Sequence, residues 1–285
     1  MVGAQKILKT HQDGSASLHN LVASKDHPVR ACPVPAHGIR FNSSELFGYA
    51  KVHGAWKTPM LCTTYHTMFD GRFRKQATEV MEVGVFKGKS LLMWESYFPS
   101  ATITGVDHFV GEQGSGTVFH DPLEFVRWLQ YQTPGQPSPG GRVKVLVADQ
   151  RIRAQYEELA AHFQGKKSFD VIVEDGSHTY ETQKMTLGVL FPLVRPGGYY
   201  VLEDLGSSWH KKFGADKVPF SKTPIGMLDA FVRGGKSAFA EEGIFKANEA
   251  AYLARCIECV FFVVDDPSNP VEATSLIKKS QHSDC

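Results

Sequence analysis

The sequence predicts an α/β fold built on a Rossmann-like, mostly parallel sheet with helices on both faces. Two observations predict this fold. Short apolar segments alternate with amphipathic segments of helical period through most of the chain. The 285 residues, of which 42% are hydrophobic and 21% are charged, also provide enough apolar side chains for a sizeable core. A strand and helix series of this kind requires parallel strands that are covered on both faces.

The predicted elements follow one another in regular order. Apolar patterns typical of strands predict strands at 79–85, 102–107, 143–148, 169–174 and 199–203, with one or two more within 256–264. Apolar residues at helical spacing predict helices at 44–51, 61–69, 90–98, 122–131, 152–163 and 180–193. The run Pro196-Gly197-Gly198 is expected to end the last of these helices, because proline and glycine do not continue one.

The chain is expected to form one domain with irregular additions. Residues 1–41 carry no sustained periodicity, and we expect an irregular N-terminal arm there, ahead of a single domain over 42–285. Two long segments, 110–141 and 205–255, interrupt the strand and helix series. Because α/β enzymes build substrate pockets from insertions that follow strands, we expect the segment 205–255 to form a lid over the substrate.

The balance of charge argues against two classes of partner. The chain has 31 basic and 30 acidic residues, and its net charge of +1 leaves no surplus to attract nucleic acid or an anionic membrane. No apolar run approaches the roughly 20 residues that span a bilayer, and the first residues lack the apolar core of a secretory signal. A cytoplasmic protein is therefore expected.

Five cysteines are scattered along the chain, an odd number that does not suggest a disulfide framework. Reduced thiols are therefore expected. The close pair Cys256 and Cys259 lies in a segment with strand character, where residues three apart point to opposite faces. This placement argues against a zinc site or a redox pair.

A glycine-rich turn follows the first predicted strand. The run from Glu82 to Ser90 reads EVGVFKGKS and leads directly into a helix, so its backbone amides are expected to face a ligand beyond the sheet edge. Phe86 and Lys89 stand where a dinucleotide fingerprint requires its second and third glycines, which argues against a dinucleotide cofactor. The candidate ligand residues of this turn are Glu82, Gly84, Gly88 and Ser90.

Two further acids end the next predicted strands. Asp107 closes the second strand, where a carboxylate can accept both hydroxyls of a ribose. Asp149 closes the third strand, where it can meet an adenine amino group. Either acid alone could simply cap a helix. Taken together and in this order, the acids and the glycine-rich turn favour a ligand that carries adenosine without phosphates.

Three more carboxylates are expected at the same edge of the sheet. Asp175 follows the fourth strand, and Glu203 and Asp204 end the fifth. Like charges this close repel one another unless a cation lies among them, and oxygen ligands suit Mg²⁺ or Mn²⁺. A metal lowers the pKa of a bound hydroxyl, and His178 is close enough in sequence to accept the proton. The alternative, a simple turn at Asp175 with a capping acid, leaves the other two acids unexplained.

Several of these segments together resemble the class I S-adenosylmethionine-dependent methyltransferases. They are the glycine-rich turn, SLLMWESYFP at 90–99, EDGSH at 174–178 and LED at 202–204. Within that class they resemble the Mg²⁺-dependent sugar O-methyltransferases of macrolide biosynthesis, the mycinamicin 2''-O-methyltransferase group. The resemblance covers roughly residues 47–264. It implies cofactor contacts by Glu82, Gly84, Asp107 and Asp149, metal ligation by Asp175, Glu203 and Asp204, and His178 as the base.

The expected function is therefore S-adenosylmethionine- and Mg²⁺-dependent methylation of a hydroxyl group. The expected acceptor is a sugar of a glycosylated small molecule in natural-product biosynthesis. Assembly into a homo-oligomer is left open as a possibility. Two alternatives stay open at this point. A catechol-type O-methyltransferase shares the fold and the metal but generally relies on a lysine and an Asp-Asn pair, and a binding module could keep the cofactor pocket without turnover.

Overall fold

One seven-stranded sheet organises the fold of this computed structural model. The structure describes residues 31–32, 45–69, 71–112, 118–119, 124, 141–209, 211, 218–235, 238–240, 243–266, 269–282 and 284–285. The strands of the sheet are β1 (Glu79–Val83), β2 (Thr102–Asp107), β5 (Val143–Val147), β6 (Phe169–Glu174), β7 (Val194–Leu202), β8 (Ile257–Asp266) and β9 (Asn269–Lys279). A separate two-stranded ladder consists of β3 (Gly111–Glu112) and β4 (Val118–Phe119).

The strand order is β5-β2-β1-β6-β7-β9-β8. The first five strands in this order are parallel, whereas β9 runs antiparallel to both β7 and β8. The predicted Rossmann-like α/β fold is thereby confirmed. Because consecutive parallel strands share one direction, the carboxyl ends of β1, β2, β5, β6 and β7 meet at a single edge of the sheet.

Helices cover both faces of this sheet. They are α1 (Glu45–His53), α2 (Pro59–Met68), α3 (Gly71–Gln76), α4 (Lys89–Tyr97), α5 (Arg153–Phe163), α6 (Tyr180–Leu190), α7 (Pro224–Val232) and α8 (Ala247–Cys256). One apolar cluster packs α1, α2 and α4 against one face of the sheet. A second cluster packs α5, α6, α7 and α8 against the other face. The connection between α1 and α2 is thereby placed beside the carboxyl edge.

Two predictions at the far side of the sheet differ from the structure. The sixth helix ends at Leu190, and the Pro-Gly-Gly run lies inside β7 instead of ending the helix. A bulge between β6 and β7 brings Gly198 against Asp170, whose carbonyl oxygen would lie 2.7 Å from a Cβ at that position. Strand β9 was not predicted, since its buried Thr274 and Ser275 give it no apolar alternation.

Two predicted segments fall largely outside the described residues. The predicted helix at 122–131 is described only at Glu124, and the arm at 1–41 only at Ala31 and Cys32. The assignment of the domain bounds and of a lid at 205–255 stays a prediction. Among the described residues, no helix has the length and apolarity needed to cross a bilayer.

The expectation of reduced thiols is wrong for four of the five cysteines. Cys32 is bonded to Cys259, and Cys256 is bonded to Cys285. Cys256 is the last residue of α8 and does not lie in the strand that was predicted to hold it, whereas Cys259 lies in β8. The two belong to different apolar clusters, so each has its own partner. The partners are 227 and 29 residues away, so no local pattern revealed the pairing. The fifth cysteine, Cys62, is a buried thiol outside both disulfides.

The disulfides predict a thiol count. Denatured without reductant, the protein is expected to expose a single reactive thiol, that of Cys62, and all five cysteines after reduction. Reduction is also expected to lower the free energy of unfolding by about 2–4 kcal/mol per bond, because cross-links restrict the unfolded chain. Alkylation followed by mass spectrometry gives the count, and five reactive thiols before reduction would contradict both disulfides.

Candidate active site

A cavity of about 790 Å³ opens at the carboxyl edge of the parallel strands. Ligands bind at this edge in open α/β sheets, and a volume of this order suits a small molecule. The cavity brings together most of the residues that the sequence predicts for the site, namely Gly84, Ser90, Asp107, Asp149, Asp175, His178, Glu203 and Asp204. The other two predicted residues, Glu82 and Gly88, are not among the residues that line it.

The glycine-rich turn lies directly against the end of β6. Gly84 has a φ of 87°, and a Cβ at this position would lie 2.0 Å from the carbonyl oxygen of Asp175. Only glycine permits this approach of the two strand ends. Gly88 has a φ of 69° and caps the start of α4. Gly84 therefore shapes one wall of the cavity through its backbone, and Gly88 begins the helix behind that wall.

Asp107 holds this turn in place. Its Oδ2 accepts hydrogen bonds from the amide nitrogens of Val85 (2.8 Å) and Phe86 (3.3 Å), and its Oδ1 accepts one from Phe109 (3.1 Å). Two of the amides that were expected to face a ligand thus donate to Asp107 instead. The carboxylate still lines the cavity, so it combines support of the turn with a position suited to a ligand.

Glu82 lies behind the turn and joins β1 to α4. Its carboxylate accepts hydrogen bonds from the Ser90 hydroxyl (2.6 Å) and from the indole nitrogen of Trp94 (3.0 Å). Burial raises the pKa of Glu82 to about 7, although the Lys57 ammonium acts against the rise. The structure places Glu82 where it can position Ser90 at the cavity wall.

Asp149 is paired with an arginine of its own loop. The guanidinium of Arg151 lies 2.6 and 2.9 Å from the two carboxylate oxygens, and these hydrogen bonds lower the pKa of Asp149 to about 2. The Arg151 side chain is 73% exposed, so a ligand can displace it at little cost. Asp149 is therefore ionised and available at the cavity surface.

Gln150 was missed by the sequence analysis and supports the 174–178 loop. Its side-chain oxygen accepts a hydrogen bond from the amide of Ser177 (2.8 Å), and its nitrogen donates to Glu174 (2.5 Å) and to Thr186 (2.9 Å). Burial raises the pKa of Glu174 to about 7, while the Gln150 hydrogen bond acts against the rise. The loop that carries Asp175 is thus anchored to a buried carboxyl.

Lys57 was also missed, and it lies among the predicted metal ligands. Its Nζ donates to Asp175 Oδ2 (2.8 Å) and to Glu203 Oε2 (2.5 Å). The Tyr65 hydroxyl donates to the other oxygen of Glu203 at 2.7 Å. Burial alone would lower the pKa of Lys57, but the adjacent carboxylates outweigh burial and hold this pKa well above its ordinary value. A buried ammonium ion therefore occupies the space between two of the three predicted acids.

Asp204 faces His178 on the open side of the cavity. The His178 Nε2 lies 3.3 Å from Asp204 Oδ2, and one ligand atom each of Asp175, His178 and Asp204 lie within 4.8 Å of one another. His178 (φ 57°) and Asp204 (φ 51°) both adopt the left-handed backbone conformation, which costs free energy in residues other than glycine. The structure therefore groups His178, and not Glu203, with the two half-buried aspartates Asp175 and Asp204.

Comparisons with known proteins show which family and which relatives this chain resembles. Residues 81–205 match a family model described as a methyltransferase domain. The demethylmacrocin O-methyltransferase of Streptomyces fradiae is 28% identical over 186 residues, which are 62% of this chain and 40% of that protein. The mycinamicin VI 2''-O-methyltransferase of Micromonospora griseorubida is 29% identical over 169 residues, which are 56% of this chain and 36% of that protein.

A solved structure supports the same fold. The MycE methyltransferase of the mycinamycin biosynthetic pathway, in complex with Mg and SAH, superposes with a TM-score of 0.58 at 23% identity. The match covers 85% of this chain and 56% of that one, and at this identity it establishes the fold. The chain spans about two fifths of the length of the curated relatives it matches. The match of residues 81–205 to the family model and these relatives confirm the resemblance stated above.

Glu174 provides a test of the buried carboxyl beneath the site. Its pKa in the folded protein, about 7, lies above its ordinary value of 4.5, so the folded state binds a proton that the unfolded state releases. The contribution of the Glu174 carboxyl to the free energy of unfolding is fully present below pH 4.5 and is lost as the pH rises through 7. The variant Glu174→Gln cannot ionise at this position. The difference in unfolding free energy between the variant and the parent should therefore be larger in favour of the variant at pH 8 than at pH 5, by about 3 kcal/mol at most.

Chemical denaturation at the two pH values, with EDTA present, measures this difference. The exposed Glu258, which pairs with Lys278 at the surface, provides the control Glu258→Gln. Parallel stability profiles for the parent and Glu174→Gln would show that Glu174 is ionised throughout.

Proposed function

We propose that this protein is an S-adenosylmethionine- and Mg²⁺-dependent O-methyltransferase whose acceptor is a hydroxyl group of a glycosylated small molecule. One observation carries the proposal: a single cavity combines the strand-end acid Asp107 with the half-buried carboxylates Asp175 and Asp204. The methyltransferase domain and the sugar O-methyltransferases among the relatives support the same reaction. Natural-product biosynthesis is the setting in which those relatives act.

The cofactor side of the cavity has the features that an adenosine group requires. Asp107 and Asp149 end the adjacent strands β2 and β5, so their carboxylates lie along one wall. The left-handed turn at Gly84 keeps side chains out of the space beside Asp175. We assign the ribose hydroxyls to Asp107 and the adenine amino group to Asp149. The methionine part then lies toward the carboxylates at the ends of β6 and β7.

The donor set on the open side suits Mg²⁺ or Mn²⁺. Asp175 and Asp204 offer carboxylate oxygens, and Mg²⁺ is commonly held by one or two carboxylates together with water and substrate. When bound, the ion supplies Lewis-acid chemistry that lowers the pKa of an acceptor hydroxyl. Glu203, the third predicted ligand, already binds Lys57 and Tyr65 through its two oxygens.

His178 is positioned to accept the proton of the acceptor hydroxyl. Its Nε2 lies at the cavity surface, 3.3 Å from Asp204, whose negative charge stabilises the imidazolium that forms. As the oxygen of the acceptor forms its bond to the methyl carbon, the bond between that carbon and the sulfonium breaks. The proton of the hydroxyl goes to His178. We thus assign two roles to Asp204: it offers an oxygen ligand to the metal and a negative charge beside the base His178.

A lysine in the site is the feature that the sequence analysis linked to catechol-type enzymes. Lys57, however, is buried and paired with two carboxylates, which hold its pKa well above the ordinary value. It remains protonated at neutral pH and cannot serve as the base. An exposed aromatic pair at the cavity mouth, Trp56 and Phe86 with ring centroids 5.7 Å apart, offers a surface for the face of a sugar.

The first prediction concerns the cofactor. Asp107→Ala should weaken binding of S-adenosylhomocysteine by about 1–3 kcal/mol, because it removes charge-assisted hydrogen bonds and releases the glycine-rich turn. Isothermal titration calorimetry measures the change, and NAD should show no comparable binding. Glu258→Ala, far from the cavity, is the control for loss of a surface acid. An unchanged affinity in Asp107→Ala would exclude Asp107 from the cofactor site.

The second prediction concerns the reaction and its metal. Purified protein with S-adenosylmethionine and Mg²⁺ should release S-adenosylhomocysteine on a panel of rhamnosides and not on catechols. EDTA should abolish turnover while S-adenosylhomocysteine still binds, and Mg²⁺ or Mn²⁺ should restore it. Full activity after exhaustive chelation would rule out metal dependence, and turnover confined to catechols would rule out the sugar acceptor.

The third prediction separates the two roles that His178 can have. His178→Ala should lower kcat by about 10²- to 10⁴-fold and leave Mn²⁺ affinity nearly intact, since a base is needed for proton removal only. A large loss of Mn²⁺ affinity would instead make His178 a metal ligand.

A further inference from the structure

We propose that Lys57 is a resident cation of this site, whose ammonium takes the place of a metal ion between Asp175 and Glu203 and confines a divalent cation to Asp175 and Asp204. The proposal rests on the proposed function only in its assumption that a divalent cation binds. Lys57 is then a positioning residue, because it acts on the metal through the carboxylates that it contacts.

Hydrogen bonding takes Glu203 out of the metal's reach. One oxygen of Glu203 accepts from Lys57 and the other from Tyr65. The side chains of Lys57 and Glu203 are only 2% and 5% exposed, so water cannot replace either partner. To bind a metal, Glu203 would have to break a buried hydrogen bond, and an unpaired buried polar group costs about 1–3 kcal/mol.

The other two acids remain open to a metal. Asp175 gives only its Oδ2 to Lys57, so its second oxygen is available on the cavity side. The Asp204 carboxylate is 42% exposed and faces His178 across the opening. Three acids at one edge of the sheet predicted a metal ion from the sequence. On this proposal, two cations balance their negative charge: the buried Lys57 ammonium and a divalent metal ion.

The fold delivers Lys57 and Tyr65 as one unit. Lys57 directly precedes α2, whose first turn is capped by the Thr58 hydroxyl (3.2 Å to the Leu61 amide) and begins with Pro59. Tyr65 lies on the same helix and is fully buried. Because Lys57 lies just before the N-cap of the helix that carries Tyr65, the packing of α2 on the sheet brings both donors to Glu203.

Charge gives this arrangement a measurable consequence. The ammonium cancels one negative charge beside the metal, so it should lower the affinity for a divalent cation. Replacing Lys57 with methionine, which has a similar length and no charge, would leave three carboxylates at the edge. That variant would hold the site that the sequence analysis expected, with Glu203 as a ligand.

Mn²⁺ binding, followed by electron paramagnetic resonance of the free ion, tests the proposal without any need for turnover. In the parent protein, Asp204→Asn should weaken Mn²⁺ binding by at least about tenfold, whereas Glu203→Gln should change it by less than about threefold. Lys57→Met should bind Mn²⁺ more tightly than the parent, and adding Glu203→Gln to Lys57→Met should remove the gain. Circular dichroism of each variant checks that it is folded.

The outcomes distinguish this proposal from the proposed function. If Glu203→Gln weakens Mn²⁺ binding in the parent as much as Asp204→Asn does, Lys57 does not displace Glu203, and the proposal is overturned while metal dependence stands. If the parent binds no Mn²⁺ but Lys57→Met does, the role of Lys57 is supported and the Mg²⁺ dependence fails. The comparison in the parent decides the case even where Lys57→Met does not fold.

Discussion

The contact of Lys57 with Asp175 and Glu203 determines which carboxylates at the carboxyl edge of the sheet are already paired with a positive charge. Parallel strands concentrate acids at one edge, and buried acids that approach one another require a positive charge. Here the chain supplies that charge from Lys57, just before α2, and the Tyr65 hydroxyl donates to the other oxygen of Glu203. On our proposal, Asp175 and Asp204 then remain to hold one ion beside the acceptor.

The sheet fixes the positions of these acids. The amide of Asp175 donates to the carbonyl of Val83 at 2.8 Å, and the amide of Glu203 donates to that of Glu174 at 2.9 Å. These continuations of the parallel ladder hold the ends of β1, β6 and β7 in register just where the chain leaves the sheet. Strained backbone at His178 and Asp204 then turns both side chains toward the cavity. Rigid strands and strained turns together give a preorganised site.

Local pattern predicted the strands and the acids at their ends, because a strand and the residue that ends it are neighbours in sequence. Lys57 could not be predicted in this way, since it lies 118 and 146 residues from its two partners. The disulfide of Cys32 with Cys259 escaped prediction for the same reason. The assignment of Glu203 as a metal ligand stays a prediction, because a metal ion and an ammonium ion both relieve the repulsion between carboxylates and sequence alone does not distinguish the two cations.

A crystal structure with S-adenosylhomocysteine and Mn²⁺, with data collected at the manganese absorption edge, tests this account most directly. The account predicts a single anomalous peak within bonding distance of Asp175 and Asp204, with the Lys57 ammonium still hydrogen-bonded to Glu203. A peak coordinated by Glu203, with the Lys57 side chain displaced from between the two acids, would contradict it.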